Sequence, residues 1–592
     1  MLIAAEIPWL EQISPLAAEL VQTLASLAPA ASESALLAAA LAVEAVAEGH
    51  VCVDLGRWAG RQYAGFPLPF LAQWQTELQA SGLIAKPGDF APLVLEERRL
   101  YLARYWRFET QLAADLLARA EPLPVETTLL RKSLDDLFGP PAAHHIDWQK
   151  AAAAAAVLNR LTVISGGPGT GKTTTVVKLL AALTLLQPDI RIALAAPTGK
   201  AAARMVEAIR LAKVKLPLDM LQLATLPDTA QTLHRLLGAR PDSPSFRHDR
   251  ENPLPYDTLV VDEASMIDLA LLTRLVAALP PTARLILLGD KDQLASVEAG
   301  AAFADLCAGT GVSAAAAKRL AMATGMPIPP QPGQSRMGDS VVLLRHSYRF
   351  DTNSGIGALA RAANAGNSEA ALNLLDTGHA DLGWHPGHFA DHAEALADHV
   401  ATALQPYWQA VTTADPVTAF QQFGRFRLLT AHRDGEAGVS GLNRLVEARL
   451  VKRRGREAWY AGRPVLITAN DYGLRLYNGD IGIALQTAEG LRVYFERDGD
   501  FAAFAPQRLP PHETAYAMTV HKSQGSEFDT VALVLPDSDS PVLTRNLVYT
   551  ALTRARRRAE IWGPATVLAK ALATATRRDS GLADRLRISN PS

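Results

Sequence analysis

Cysteines and long apolar runs are scarce in this chain, and each shortage excludes a class of protein. Only two cysteines, Cys52 and Cys307, occur among 592 residues, which is too few for a disulfide framework or a cysteine-based zinc site. Such low cysteine usage suits a reducing compartment, so we expect a cytoplasmic protein. The apolar run from Ala35 to Val43 is too short to span a bilayer, and we expect no association with membranes.

Excess charge of either sign is also missing. The chain has 58 basic and 60 acidic side chains, a formal net charge of −2, so a uniformly basic surface that coats nucleic acid is excluded. Any nucleic acid must therefore be bound locally, in a groove. Outside the nucleotide site described next, we find no acidic and lysine cluster of the nuclease type, and we expect no nuclease chemistry in this chain.

The most informative feature that is present is a glycine-rich stretch ending in Lys172 and Thr173. It follows the apolar run Leu161–Ser165 and precedes a helix-like run that starts at Thr174. Strand, glycine turn and helix in this order form a phosphate-binding loop, whose backbone N–H groups hold nucleotide phosphates. The lysine adds positive charge, and the threonine hydroxyl is suited to Mg²⁺. The predicted nucleotide-binding residues are Gly166, Gly167, Pro168, Gly169, Thr170, Gly171, Lys172, Thr173 and Thr174.

Two further strand ends carry polar side chains of matching chemistry. One apolar run ends in Asp262 and Glu263, which suit the binding of Mg²⁺ and the activation of an attacking water. The next run leads to Gln293, an uncharged group suited to sensing the γ-phosphate or the water. Alone, each segment would be an ordinary solvated strand end. After a phosphate-binding loop, we interpret them as catalytic.

Two arginines in the second half of the chain are candidates for the transferring phosphate. They are Arg349, in Ser-Tyr-Arg-Phe, and Arg554, in Thr-Ala-Leu-Thr-Arg-Ala. A nucleotide bound between two lobes needs positive charge from the far lobe, and such arginine fingers contribute about 10³–10⁵ in rate. We interpret the neighbouring Arg556, Arg557 and Arg558 as a solvated basic face.

Composition and pattern divide the chain into three regions and one insertion. Residues 1–110 are mostly helical in pattern and carry 12 acidic and 7 basic side chains, a net charge of −5. This charge repels phosphate, so the region is either a small helical core or a docking domain for another protein. Residues 111–335 and 336–592 are predicted to be two α/β regions, and 455–510 a small inserted β-barrel. The predicted strands of the first α/β region are Leu161–Ser165, Ile192–Ala196, Thr258–Val261 and Leu285–Leu288.

The ordered set of motifs resembles the superfamily 1 helicases. In chain order the set comprises Gln149 in Asp-Trp-Gln-Lys, the phosphate-binding loop, Ala196-Pro-Thr-Gly-Lys-Ala-Ala202, Thr232-Leu-His-Arg-Leu-Leu237, Val-Asp-Glu-Ala, Gly-Asp-Lys-Asp-Gln-Leu, Ser-Tyr-Arg-Phe, Thr519-Val-His-Lys-Ser-Gln-Gly525 and Thr-Ala-Leu-Thr-Arg-Ala. Within that superfamily the chain resembles the RecD family, the α subunits of exodeoxyribonuclease V (RecBCD). The segments that carry this closer resemblance are Thr430–Gly438, Asn478–Gly482 and Gly49–Leu55. It covers nearly the whole chain and is weaker before residue 110.

The resemblance implies two RecA-like lobes of parallel sheet, an SH3-like barrel, and ATP with Mg²⁺ in the cleft between the lobes. By this resemblance, Gln149 would contact the adenine, and Thr173 and Asp262 would bind the metal. The residues that would contact the γ-phosphate are Gln293, Arg349 and Arg554. A single DNA strand would lie in a channel lined by Pro197, Thr198, His234, Thr430, His432, Thr519 and Lys522. Their hydroxyl, imidazole and ammonium groups suit phosphate contacts with little base specificity. For each of them the alternative is an ordinary loop or cap residue.

The function that follows is that of a 5′→3′ DNA helicase and translocase acting on duplex ends. Its direction comes from the resemblance alone, as do its RecB-like and RecC-like partners in a heterotrimer, one of which would carry the nuclease. Stand-alone relatives usually have a longer N-terminal extension than this chain, which favours the complex subunit. The alternatives are a stand-alone 5′→3′ helicase and a regulatory ATP-binding subunit. Intact Lys172, Glu263, Arg349 and Arg554 argue against an inactive ATPase.

Overall fold

The computed structural model describes residues 9–85, 91–141, 145–214, 216–240, 243, 245–333, 335–350, 353–450, 458–471, 473–497 and 499–587. An N-terminal domain precedes two α/β lobes, and an antiparallel sheet is inserted in the second lobe. Residues 455–457, 472 and 498 of the predicted insertion lie outside the described part. Within the described ranges, every helix is too short or too polar to cross a membrane.

The N-terminal domain combines a helical core with two small sheets. Its elements are α1 (Pro15–Leu27), α2 (Glu33–Ala47), β1 (Val53–Asp54), α3 (Leu55–Trp58), β2 (Gln62–Tyr63), β3 (Phe66–Pro67), α4 (Leu71–Ala80), β4 (Leu93–Glu96), β5 (Arg99–Leu102) and α5 (Ala103–Arg119). Helix α2 is buried from Ser34 to Val43 because its alanine and leucine residues leave no polar face there. The sheet β1-β5-β4 and the hairpin β2-β3 were not expected. Strands of two to four residues are too short for alternation to reveal them.

The first lobe is built on a six-stranded parallel sheet with the order β11-β6-β10-β9-β7-β8. Its elements are α6 (Thr127–Phe138), α7 (Trp148–Leu158), β6 (Leu161–Gly166), α8 (Lys172–Leu186), β7 (Ile192–Ala196), α9 (Gly199–Lys213), α10 (Met220–Thr225), β8 (Gln231–Thr232), α11 (Leu233–Leu237), β9 (Thr258–Val261), α12 (Leu269–Ala277), β10 (Arg284–Gly289), α13 (Ala302–Leu306), α14 (Ala314–Thr324) and β11 (Val341–Leu344). The four predicted strands are confirmed as β6, β7, β9 and β10. The lobe extends past the expected boundary at residue 335, because β11 pairs in parallel with β6.

The second lobe has a five-stranded parallel sheet with the order β12-β21-β20-β13-β19. The remaining elements, including the inserted strands β14 to β18, are α15 (Gly355–Ala365), α16 (Ser368–Thr377), β12 (Leu382–Pro386), α17 (Phe389–Ala403), α18 (Gln405–Thr412), α19 (Pro416–Phe423), β13 (Phe426–Thr430), α20 (Val439–Leu450), β14 (Pro464–Ile467), β15 (Ile481–Thr487), β16 (Gly490–Arg497), β17 (Asp500–Phe504), β18 (His512–Thr514), β19 (Ala517–Thr519), β20 (Phe528–Val534), α21 (Arg545–Thr553), β21 (Ala555–Gly563), α22 (Ala565–Ala573) and α23 (Leu582–Arg585).

The insertion is a five-stranded antiparallel sheet with the order β17-β16-β15-β14-β18. The sequence predicts three strands here, at Arg463–Thr468, Gly482–Leu485 and Leu491–Phe495, and they correspond to β14, β15 and β16, whereas β17 and β18 were not predicted. In the described residues the outer strands β17 and β18 do not pair with each other, so a closed barrel is not confirmed. The start of the insertion is fixed on the second lobe, because the carbonyl of Gly462 accepts hydrogen bonds from Tyr407 (2.9 Å) and Tyr516 (3.0 Å).

Beyond α22 the chain leaves the second lobe and returns to the first lobe and the N-terminal domain. We call residues 574–587 the C-terminal strap. Leu582 and Leu586 are buried in a core shared by the first lobe and the N-terminal domain. Glu109 of α5 is fully buried. Its carboxylate accepts hydrogen bonds from the Gly581 N–H (2.8 Å), the Ser580 hydroxyl (3.0 Å) and Arg585 Nε (2.9 Å). The strap therefore connects all three parts of the chain.

We expect Arg585→Met to loosen the strap, because a buried carboxylate that loses its partner costs about 3–5 kcal/mol. Hydrogen-exchange protection of the Val51 amide, which donates to the Asp579 carbonyl at 2.7 Å, should then fall at least about 100-fold. The control is Arg587→Met, whose exposed guanidinium pairs with Asp584, and there the change should stay within about threefold. Equal protection in the two variants would contradict this role of the buried pair.

Candidate active site

The predicted catalytic groups meet because three neighbouring parallel strands end at the same edge of the first-lobe sheet. Strand β6 ends at Gly166, where the phosphate-binding loop begins, and β10 lies between β6 and β9. Asp262 follows β9, and Asp290 follows β10. Polar loops at the carboxyl ends of adjacent parallel strands form the usual ligand site of an open α/β sheet.

The phosphate-binding loop needs its glycines for reasons visible in the structure. Gly169 and Gly171 have positive φ angles of 75° and 78°. A Cβ on Gly169 would lie 2.3 Å from Arg349 Cβ, and one on Gly171 would lie 2.1 Å from Gln149 Nε2. Side chains at these positions would therefore displace the groups that pack on the loop. Helix α8 begins at Lys172, so its free N–H groups point into the loop.

Two predicted nucleotide ligands are held against the loop itself. Lys172 Nζ donates to the carbonyls of Gly166 (2.6 Å) and Gly167 (3.3 Å), so the ammonium lies inside the curve where phosphates would bind. Gln149 Nε2 donates to the carbonyl of Thr170 at 2.9 Å. The amide of Gln149 thus supports the loop, and its contact with adenine stays a prediction.

The acidic pair after β9 is strained and poorly solvated. Desolvation, together with the neighbouring charge of Glu263, raises the pKa of Asp262 to about 6, against the opposing effect of Lys172. Glu263 has a positive φ of 52°, a conformation that non-glycine residues keep only when their surroundings impose it. Its N–H donates to Asp262 Oδ1 at 2.8 Å. The backbone strain therefore fixes the direction of the two carboxylates relative to each other.

The donors at this edge fit Mg²⁺. Asp262, Asp290 and the Thr173 hydroxyl at the start of α8 offer the hard oxygen atoms that this ion prefers. Desolvation also raises the pKa of Asp290, which is buried. A divalent cation would favour the charged form of both carboxylates, whose burial otherwise disfavours it.

The predicted sensor Gln293 is buried and tied to Asp290. Its Nε2 donates to Asp290 Oδ2 at 3.1 Å, and Tyr549 of α21 donates to the same oxygen at 2.9 Å. A Cβ on Gly167 would lie 2.9 Å from the Tyr549 hydroxyl. This tyrosine of the second lobe therefore reaches the phosphate-binding loop of the first.

The loop of residues 290–294 also holds the two lobes together. The Leu294 N–H donates to the Thr550 hydroxyl, and its carbonyl accepts from Gln524 Nε2, both at 2.9 Å. Asn546 Nδ2 donates to the Asp292 carbonyl at 2.8 Å. The Leu294 side chain is buried in the core of the second lobe. A movement of this loop must therefore move helix α21.

The two candidate fingers reach the same cleft by different contacts. Arg349 Nη2 forms an ion pair with Glu527 Oε1 at 2.6 Å. Arg554 is buried, with Nη1 donating to the Ser526 carbonyl (3.2 Å) and Nε to the Thr550 carbonyl (3.3 Å). Across the described ranges, no carboxylate forms an ion pair with Arg554, so its charge remains open to an anion.

Sequence reasoning missed four residues of this cleft. Asp290 lies inside a recognised motif and Tyr549 directly precedes one, but only the fold shows that they bond to each other. Glu527 follows the Thr519–Gly525 motif by two residues. Arg204 of α9 donates to the Gly525 carbonyl at 2.6 Å. The signal available for Arg204 was its position two residues beyond the Ala196–Ala202 motif.

The candidate DNA-binding residues lie at or just beyond the carboxyl ends of parallel strands, and in the first lobe these strands are β7 and β8, separated from β6 by β10 and β9. Pro197 and Thr198 follow β7, and His234 follows its neighbour β8. In the second lobe, Thr430 ends β13 and Thr519 ends the paired strand β19. The first-lobe set therefore continues the edge that carries the phosphate-binding loop, whereas the second-lobe set lies at the edge opposite the amino ends of β20 and β21, where Glu527 and Arg554 lie.

Individual contacts differ among these candidates. The Thr198 hydroxyl caps α9 by accepting from the Ala201 N–H at 3.2 Å, and the buried Thr430 hydroxyl donates to the Ala437 carbonyl at 2.6 Å. His432 is half-buried and His234 is exposed. Lys522 is exposed and donates to Asn478 Oδ1 of the insertion at 2.6 Å. Each role toward DNA stays a prediction.

Lys200, which sequence reasoning did not select, lies where the lobes and the insertion meet. Its side chain is exposed. Desolvation by the neighbouring protein lowers its pKa, with further lowering by Arg427 and Arg204 and opposition from Glu496 and Asp480 of the insertion. A bound phosphate would restore its charge, since a nearby anion favours the ammonium form.

Family comparisons divide the chain in the same way as the structure. Residues 10–101 match the N-terminal domain of the RecBCD enzyme subunit RecD. Residues 149–299 match an AAA domain, and 514–561 match the UvrD-like helicase C-terminal domain.

Curated relatives match over almost the full length. The RecBCD enzyme subunit RecD of Mycolicibacterium smegmatis is 42% identical over 588 residues, covering 98% of both chains. The RecD subunit of Haemophilus influenzae is 35% identical, covering 93% of this chain and 92% of the relative. The ATP-dependent RecD2 DNA helicase of Deinococcus radiodurans is 33% identical, covering 83% of this chain and 59% of the relative. Among solved structures, the Pif1 helicase from Candida albicans aligns at 14% identity and a TM-score of 0.35, covering 74% of this chain and 97% of that one.

We expect Asp262→Asn to stabilise the nucleotide-free, Mg²⁺-free protein at pH 8. The raised pKa of Asp262 means that the folded state binds a proton more tightly than the unfolded state, so stability falls as pH rises from about 4 to 6. Above pH 6 the variant should gain about 2 kcal/mol, allowing for partial solvent screening. The gain should vanish below about pH 4. Melting curves across this range test it, with exposed Glu489→Gln as control. A variant no more stable than the wild type at pH 8 would refute the burial effect.

Proposed function

The chain belongs to the RecD family of RecBCD subunits, and on that premise we propose that it is an ATP-dependent DNA helicase subunit. It would act on duplex DNA ends in recombinational repair, with RecB-like and RecC-like subunits in a heterotrimer, and would move 5′→3′ along one strand. The nuclease of the complex would reside on a partner. The observation that carries the proposal is a single cleft that holds the phosphate-binding loop, two acids after β9 and two arginines from beyond the first lobe.

ATP hydrolysis would use these groups in defined roles. The phosphates would lie on the loop and draw Lys172 away from the carbonyls that it now contacts. Glu263, fixed by its strained backbone, would orient and deprotonate the attacking water. Arg349 and Arg554 would stabilise the charge that develops on the γ-phosphate. Thr173 and Asp262 would hold Mg²⁺, which neutralises phosphate charge when bound.

The adenine would lie beside Gln149 and Tyr348. Tyr348 exposes 64% of its surface, while its N–H donates to the Gly169 carbonyl at 2.7 Å. An exposed aromatic ring held this close to the loop is suited to stacking on a base. The Gln149 amide, now bonded to Thr170, offers the polar group that would read the edge of that base.

Strand movement would follow from opening and closing of the lobes. The 290–294 loop would contact the γ-phosphate through Gln293, which bonds to Asp290, and it bonds to the second lobe through Leu294, so loss of the γ-phosphate would shift one lobe against the other. The strand would be held by Pro197, Thr198 and His234 on one lobe and by Thr430, His432, Thr519 and Lys522 on the other. The insertion, which we take to be a small SH3-like barrel, would guide the strand past Asn478 and Lys522.

The N-terminal domain would dock a partner subunit rather than DNA. Leu16, Leu20 and Leu27 share one face of α1, and Leu16 and Leu27 expose 67% and 75% of their surface. The net charge of −5 over residues 1–110 opposes contact with phosphate. An apolar stripe on an acidic domain suits a protein partner with a basic rim.

A second candidate is a stand-alone helicase, which the match to the RecD2 helicase of Deinococcus radiodurans favours. Strand displacement on a 5′-tailed duplex, with and without RecB-like and RecC-like subunits, separates the two functions. Unwinding by the isolated chain at the rate of the complex would support the stand-alone function. ATP binding without any unwinding in either setting would favour a purely regulatory subunit.

We expect Lys172→Gln to abolish DNA-stimulated ATP hydrolysis and strand displacement while the protein stays folded. The variant removes a charge from the phosphate site and no apolar core group. Lys570→Gln is the matched control, because the exposed ammonium of Lys570 pairs with Asp539 outside the cleft, and it should retain at least about half of the activity. Near-normal turnover by a folded Lys172→Gln protein would overturn the ATPase assignment.

We expect Arg554→Ala to lower turnover about 10³-fold or more and to leave ATP affinity within about threefold, because a finger acts mainly in the transition state. Single-turnover hydrolysis and equilibrium binding of ATP measure the two effects separately. Exposed Arg557→Ala should change neither. A tenfold loss of affinity with normal turnover would instead make Arg554 a ground-state binding residue.

A further inference from the structure

One segment of the second lobe is in contact with several arginines of the cleft. Residues 525–527 follow the Thr519–Lys522 segment and lead into β20. Four arginines contact them: Arg204 at the Gly525 carbonyl (2.6 Å), Arg554 at the Ser526 carbonyl (3.2 Å), and Arg349 (2.6 Å) and Arg556 (3.0 Å) at the Glu527 carboxylate. Arg204 comes from the first lobe, so the segment also bridges the cleft.

Glu527 is the only acid of this segment and stays ionised. Arg349 binds its Oε1 atom, while Arg556 binds Oε2 and Arg204 Nη2 lies 3.9 Å from Oε2. Although desolvation alone would raise it, the arginines hold the pKa of Glu527 at about 2. Three cations thus surround one carboxylate that retains 22% side-chain exposure.

The ion pair ties the tip of Arg349 to Glu527. The backbone of Arg349 lies against the phosphate-binding loop, as a Cβ on Gly169 would be 2.3 Å from its own Cβ. Its Nη2 atom nevertheless donates to Glu527. In the described part of the chain, its Nη1 atom is buried without a hydrogen-bond partner. Arg349 therefore has donor capacity that its present environment does not use.

We propose that Glu527 is a positioning residue that holds Arg349 off the γ-phosphate until ATP and the DNA strand are both bound. This inference rests on the proposed function, in which Arg349 contacts the γ-phosphate. On ATP binding, the guanidinium would exchange the carboxylate for the phosphate. Arg556 and Arg204 would then keep Glu527 paired, which avoids the cost of a lone charge in the cleft.

The same segment lies against the proposed strand channel. A Cβ on Gly525 would lie 3.7 Å from Ala201 Cβ and 4.0 Å from Thr198 Oγ1. Gln524, the preceding residue, donates to the Leu294 carbonyl at 2.9 Å. A strand that binds Thr198 and Lys522 would therefore displace residues 525–527 and weaken the hold on Arg349. This displacement supplies a physical route from strand binding to hydrolysis.

The test is Glu527→Gln, which removes the charge and keeps the shape. With Arg349 released, hydrolysis without DNA should rise about tenfold, because a larger fraction of the enzyme is competent. Hydrolysis with saturating single-stranded DNA should stay within about threefold, so the stimulation by DNA should fall. The KM for ATP should fall, whereas ADP affinity should not change, since ADP has no γ-phosphate.

Two controls make the result specific. Asp529→Asn breaks an ion pair with Arg425 at 3.2 Å, two residues along the chain, and should leave both rates unchanged. In an Arg349→Ala background, Glu527→Gln should no longer raise the DNA-free rate, because the effect acts through Arg349.

Parallel loss of both rates in folded Glu527→Gln protein would overturn the inference and leave Glu527 a structural or nucleotide-binding residue. If this variant does not fold, as judged by melting, Glu527→Asp replaces it. The shorter side chain should weaken the pair with Arg349, and the DNA-free rate must rise for the inference to stand. A wild-type chain that hydrolyses no ATP would refute the proposed function itself, whatever the variants do.

Discussion

Opposite charges confined between two lobes are the constraint on which the rest of this structure depends. Lys172 and the cleft arginines face Asp262, Asp290 and Glu527 in a space with little water. In such surroundings an unpaired charge is costly and a paired one is strong. Burial consequently raises the pKa of both aspartates, whereas the arginines depress that of Glu527. The site is therefore poised to accept an anion and a cation together, as Mg²⁺ and ATP provide.

The contacts between the lobes are mostly polar and directional. The backbone of loop 290–294 forms hydrogen bonds with α21. The carbonyls of Gly525 and Ser526 accept hydrogen bonds from an arginine of each lobe. Apolar contact is concentrated at Leu294, which enters the core of the second lobe. Hydrogen bonds of this kind can exchange partners with small shifts, while packed cores move as rigid units. The arrangement suits two bodies that rock about a nucleotide.

The N-terminal domain is less separable than its composition suggests. Val51, Val94 and Tyr101 share a core with α5 and the first lobe, and the C-terminal strap binds at their junction. Removing residues 1–110 would therefore expose apolar residues of the core that the N-terminal domain shares with the first lobe. A partner docked on α1 would instead act through the intact domain, whose link to the second lobe is the strap.

The sequence by itself determined the elements with strong local signals. Glycine spacing gave the phosphate-binding loop, and apolar runs bounded by polar residues gave strands β7 and β9 at their observed limits. It also predicted that Asp262 and Glu263 follow a strand, and they directly follow β9. Strands as short as β1 or β18 carry too few residues for a period to be visible.

Only the tertiary structure decided which charges meet. Arg204 and Gly525 are 321 residues apart, Glu109 and Arg585 are 476 apart, and Asp290 and Tyr549 are 259 apart. No pattern along the chain marks such partners, since a charged side chain looks the same whether it is solvated or paired. Their pairing follows from how two sheets, an insertion and a strap pack against one another. Each catalytic motif is a short stretch of the sequence, but the contacts that couple the motifs join residues far apart in the chain.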